Sequence, residues 1–98
     1  MDVKLVWSKR ADYGYARIIK YLEEEWSDRE VSNFVRETKH FFDLLKENPH
    51  MLEPTRTYKN LYRGPINRLT ILTYRFNSRK KEIVLVNIRE ARKNPLKK

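Results

Sequence analysis

A chain of 98 residues with no cysteine, 40% hydrophobic residues and a formal charge of +9 fits one compact domain, and it excludes a disulfide framework, a cysteine-ligated zinc and a thiol nucleophile. With 36% charged residues and a mean hydropathy of −0.83 it reads as a highly solvated protein. No apolar run approaches the roughly 20 residues of a membrane span and no signal-peptide core opens the chain, so a soluble, cytoplasmic protein is expected.

The charge is split by position. Residues 1 to 53 carry nine bases and eleven acids, a balance of −2, whereas Pro54 to Lys98 holds thirteen bases against Glu82 and Glu90, or +11. Such a half faces either solvent or an anionic partner, because the field of clustered charge speeds association without defining a target.

In chain order, Val3, Leu5 and Trp7 alternate with Asp2, Lys4 and Val6 as a short strand with one buried face. Ser8 is placed to cap a helix whose apolar positions are Ala11, Tyr15, Ile18, Ile19, Leu22 and Trp26. Ser27-Asp28-Arg29-Glu30 has the form of a capping box, and the stripe Val31, Phe34, Val35, Thr38, Phe41, Phe42 and Leu45 carries a second helix to Asn48-Pro49. The short connection predicts an antiparallel helical hairpin. Beyond Pro54, a meander of three antiparallel strands is predicted over 55–63, 66–76 and 82–89, with Gly64-Pro65 breaking the first and a polar turn over 77–81. The run Ile83-Val84-Leu85-Val86 predicts a central strand covered on both faces. The expected fold class is α+β, in the order β-α-α-β-β-β, with the hairpin on a small antiparallel sheet. The domain would divide into residues 1–53, a basic meander over 54–90 and a basic tail over 91–98.

Few chemical motifs stand out. His40 and His50 have no ligand partners at metal-binding spacing, Glu23-Glu24-Glu25 points three ways on a helix, and two glycines cannot make a phosphate loop. No metal or cofactor is expected. The basic half is the better candidate, because Arg56, Lys59, Arg63, Arg68 and Arg75 are interleaved with Tyr58, Tyr62, Tyr74 and Phe76. Guanidinium forks bind phosphate and rings stack on unpaired bases, although tyrosine and phenylalanine are also ordinary core residues of strands. Strand parity sets Arg68, Thr70, Leu72, Tyr74 and Phe76 on one face and Arg75 on the other.

The opening strand ending Trp7-Ser8, the hairpin closed by Asn48-Pro49, the run 68–76 and the final strand continuing through Arg89-Glu-Ala-Arg-Lys-Asn-Pro95 together resemble the RelE/ParE toxins of bacterial type II toxin-antitoxin systems. That resemblance implies a growth-arresting toxin with a cognate antitoxin, in a hetero-oligomer of the two. It implies one of two targets. RelE-like members cleave mRNA on the ribosome without a metal, which would make Arg68 and Arg92 catalytic. ParE-like members inhibit DNA gyrase without hydrolysis. In either case Lys59, Tyr62, Arg63, Arg68, Tyr74, Arg92 and Lys93 are the expected target- or RNA-binding set. Residues 89–98 contain neither the His-Tyr pair nor the tyrosine of many RNase members, which tilts the expectation toward the ParE-like side. A basic RNA-binding or structural module without toxicity is the third reading.

Overall fold

The computed structural model describes residues 3–91. Its elements are β1 (Lys4–Trp7), α1 (Lys9–Glu25), α2 (Asp28–Glu47), β2 (Glu53–Pro54), β3 (Leu61–Asn67), β4 (Thr70–Asn77) and β5 (Glu82–Glu90). The strands form one sheet in the order β1-β5-β4-β3-β2. The hairpin and the α+β layering are as expected, but the sheet is mixed: β1 pairs parallel to β5, with Leu5 opposite Ile83 and Trp7 opposite Leu85. An antiparallel partner needs only a short turn. Here α1 and α2 intervene between β1 and the rest of the sheet, and so long a crossover can return the chain in parallel.

Ser8 starts α1 as the sequence predicts. Its Oγ accepts from the Ala11 amide and donates to the Val86 carbonyl, each at 3.0 Å, tying the helix start to β5. Only half of the Ser27–Glu30 capping box forms: the Glu30 amide reaches the Ser27 Oγ at 3.4 Å, and among the described residues the return bond to the Glu30 carboxylate is absent. The Asn48 amide closes α2 on the carbonyls of Leu44 and Leu45.

The core lies between the hairpin and one sheet face. Ala11, Ile18 and Leu22 of α1 and Phe34, Phe41, Phe42 and Leu45 of α2 meet Leu72, Tyr74, Ile83, Leu85 and Ile88. The predicted stripes run too far at two positions, since Trp26 is 58% and Val35 42% exposed. Trp26 is the C-cap of α1, where the helical period ends.

The meander differs more. Residues 55–60 are an irregular loop rather than a strand, and Gly64-Pro65 lies inside β3 instead of ending it. β2 covers only Tyr62 and Arg63 of β3, so Pro65 sits where the strand has no outer neighbour and its missing N–H costs no ladder bond. The β5 run is interior to the sheet, yet the helices cover only one of its faces. Ile83 and Leu85 are buried, whereas Val84 and Val86 are half-buried. A register shift opposite Thr73 and Tyr74 leaves Val86 unpaired as a bulge, which returns Ile88 to the core.

Candidate target-binding site

The open sheet face and the sheet's C-terminal end carry the basic residues. A cleft of about 640 Å³ lies between the 53–57 segment, β3, the β3–β4 turn and Ala91, and Arg56, Arg63 and Arg68 line it. Each is exposed.

The loop bearing Arg56 is held by Thr55. Its amide donates to the Leu61 carbonyl at 2.8 Å, its hydroxyl donates to the Tyr58 carbonyl and accepts from the Tyr58 amide, and Asn60 reverses the chain at φ 60°. Arg63 projects from β3 opposite Thr73.

Arg68 corrects the sequence reading: it is not in a strand but in the two-residue turn joining β3 to β4. Asn67 builds that turn. Its Oδ1 accepts from the Leu69 amide at 2.9 Å, and its Nδ2 donates to Glu37 of α2 at 3.1 Å. The Ala91 amide donates to the Leu69 carbonyl at 2.8 Å, so the start of the tail is fastened to the same turn. Arg92 and Lys93 lie outside the described residues.

Among the described residues the only ion pair is Lys39–Asp43 on α2. Among the described residues no carboxylate is within bridging distance of the cleft arginines, although Glu53 shares the lining and stands opposite Arg63 in register. Three unneutralised guanidinium groups on a tied scaffold suit an anion with several oxygens.

The remaining expected residues do not converge here. Lys59 lies in a separate recess of about 410 Å³ with Arg75 and Arg79. Arg75 is exposed and paired with Val84, on the face away from the hairpin, as parity predicts.

Tyr62 and Tyr74 are interior. Tyr74 has 0% and Tyr62 8% of its surface exposed, and their rings stack at 5.1 Å with a 13° interplanar angle. The Tyr74 hydroxyl donates to the Pro49 carbonyl, while the Tyr62 hydroxyl is 2.9 Å from His50 Nδ1. Burial pushes the Tyr74 hydroxyl up to about 12. These two rings fasten the α2–β2 connection to the sheet and offer no face to a base. Tyr58, 63% exposed on the loop beside Arg56, is the accessible tyrosine of the basic half.

The sequence reading missed the part played by Asn67. An asparagine ahead of Arg-Leu is a turn signal, but treating 66–76 as one strand concealed it. No group of His, Cys, Asp or Glu suited to a metal occurs among the described residues.

Two helices on one face of a five-stranded mixed sheet are the fold of solved RelE/ParE-like structures from toxin-antitoxin systems. The family model for the ParE toxin of type II toxin-antitoxin systems matches residues 5–95, and the chain belongs to that family. Among solved structures, the chain is similar to one from the chromosomal ParDE toxin-antitoxin system of P. aeruginosa, with TM-score 0.72 and 15% identity over 90% of this chain and 95% of that one. It is also similar to one from the RelBE2 toxin-antitoxin complex of Mycobacterium tuberculosis, with TM-score 0.63 and 13% identity over 92% and 99%. A comparison with curated proteins finds no match.

Proposed function

We propose that this toxin arrests growth by inhibiting DNA gyrase without hydrolytic chemistry, and that a cognate antitoxin restrains it. The observation that carries this reading is the withdrawal of Tyr62 and Tyr74 into the core. The cleft is left with arginines to bind an anionic or acidic target, and no histidine or tyrosine lines it to move a proton. The match to the ParE family model supports the same side. The test is a supercoiling assay with purified gyrase. The wild-type chain should inhibit, and the Arg63→Ala/Arg68→Ala double variant should need at least about tenfold more protein for the same effect, as expected for two lost charge-assisted contacts. Full inhibition by the double variant would remove the cleft from the mechanism.

The exposure of Tyr58 beside Arg56 favours a second reading, a metal-independent, ribosome-dependent mRNA endoribonuclease. In that case Arg68 and Arg92 would stabilise charge developing at the scissile phosphate and Tyr58 would stack on a base. Arg68→Ala should then abolish ribosome-dependent cutting while leaving the fold intact.

The antitoxin is expected to carry an acidic or amphipathic segment that folds on the toxin. Both related structures come from toxin-antitoxin systems, which supports such a partner. The hairpin offers an apolar seat for the segment where exposed Trp7 and Val35 border a groove of about 270 Å³ floored by Phe42 and Tyr15.

A further inference from the structure

The near-neutral half of the chain conceals a charge split of its own. Residues 3–20 hold Lys4, Lys9, Arg10, Arg17 and Lys20 against the single acid Asp12, and the acids that offset them follow from Glu23 onward. The fold sets this basic stretch beside the end of β5. β1 pairs with β5 only as far as Leu85, so residues 86–90 have no strand on that side and α1 takes its place. On α1, Arg10, Tyr13, Gly14 and Arg17 follow one another at spacings of three, one and three, a helical stripe distinct from the core stripe Ala11, Ile18 and Leu22. Together with Asn87 and Arg89 of β5 they line a cleft of about 540 Å³.

We propose that this cleft between α1 and β5 is a binding site for a nucleoside phosphate. Arg10, Arg17 and Arg89 bring three guanidinium groups to it, against one carboxylate in the lining, Glu90. None of the three has a salt bridge among the described residues; Arg89 donates only to the Glu90 carbonyl, at 3.5 Å. Tyr13 is 66% exposed, and the Arg17 guanidinium lies 5.8 Å from its ring centroid. Phosphate oxygens suit the guanidinium forks, and a base suits the exposed tyrosine face. The volume falls within the range of about 300–1,000 Å³ usual for small-ligand sites.

An acidic peptide is the competing anion, and the edge of β5 decides against its docking by strand addition. A Cβ built on Gly14 would stand 1.9 Å from the Ile88 carbonyl oxygen, so α1 already rests on the backbone that an added strand would need. A compact phosphate ligand requires no such edge. This site lies apart from the Arg56, Arg63 and Arg68 cleft, and its existence does not depend on whether gyrase or the ribosome is the target.

The test uses the purified full chain, with amide shifts followed by NMR during titration with ATP, adenosine, tripolyphosphate and a short single-stranded oligonucleotide. ATP or the oligonucleotide should shift Tyr13, Arg17 and Arg89 saturably, and adenosine should not. A stronger response to ATP marks a free nucleotide as the natural source, and a response to the oligonucleotide alone marks a nucleic-acid strand. Arg10→Gln/Arg17→Gln should weaken binding at least tenfold, whereas Arg63→Gln/Arg68→Gln should leave it within twofold. Tyr13→Ala should weaken the base-bearing ligand and spare tripolyphosphate. The proposal is overturned if no ligand shifts these residues, if adenosine binds as well as ATP, or if the Arg63/Arg68 variant removes the response.

Discussion

Thr38 and Thr70 are both buried polar side chains, and their hydroxyls have opposite fates. The Thr38 hydroxyl donates to the Val35 carbonyl at 3.0 Å and lies 2.8 Å from the Tyr15 hydroxyl, joining α2 to α1. The Thr70 hydroxyl has no partner among the described residues. Replacing a bonded hydroxyl with a methyl strands its partner, whereas replacing an unsatisfied one relieves a desolvation cost, so Thr38→Val should destabilise by about 1–2 kcal/mol and Thr70→Val should be neutral or stabilising by up to about 1 kcal/mol. Paired urea denaturation curves measure both. Tyr74 sets a third expectation. Its hydroxyl titrates near 12 in the fold against about 10 in an unfolded chain, so between these values the unfolded state binds fewer protons and stability falls as pH rises. The contribution, on the order of 2–3 kcal/mol, is complete below about pH 10 and lost through about pH 12. Tyr74→Phe should flatten that alkaline decline, which a series of denaturation curves above pH 9 would reveal.

At the scale of elements, Gly14 is the test of how closely α1 packs on β5. Helix propensity alone would make Gly14→Ala stabilising by about 1 kcal/mol. The new Cβ would instead meet the Ile88 carbonyl oxygen at 1.9 Å, a backbone atom that cannot turn aside, so α1 must lift from the sheet and thermal unfolding should report a loss of roughly 2–4 kcal/mol. Sequence periodicity captured the hairpin well because both helices are amphipathic and both open on a serine cap. It captured the meander less well. Pro65 reads as a breaker, yet it is harmless where β3 runs beyond its short outer neighbour β2, and Arg68-Leu69 reads as a strand yet turns on Asn67. Both differences are tertiary in origin, since neither the shortness of β2, which leaves Pro65 without an outer neighbour, nor the bond from Asn67 to Glu37 is written in local pattern. The same limit affected the site. Tyr62 and Tyr74 share an alternation with aromatic surface residues, and only the hairpin packing places their rings inside.

Across the whole molecule, the excess of positive charge is not one surface but several. Arg56, Arg63 and Arg68 occupy the end of the sheet, Lys59, Arg75 and Arg79 a recess beside the β4–β5 turn, and Arg10, Arg17 and Arg89 the junction of α1 with β5. An antitoxin that covers these surfaces should bind with a strong salt dependence, and one seated only on the apolar groove by Trp7 and Val35 should not. Pull-downs of the pair at low and high salt should show weaker capture at high salt, and undiminished capture would assign the association to apolar contacts. Gyrase and ribosome are told apart by controlled expression of the chain without its antitoxin, with DNA and protein synthesis followed in parallel. For a gyrase inhibitor DNA synthesis should fall first, with DNA damage and filamentous cells, while translation continues. Immediate arrest of translation with ribosome-dependent mRNA cleavage, or unimpaired growth, would contradict gyrase as the target.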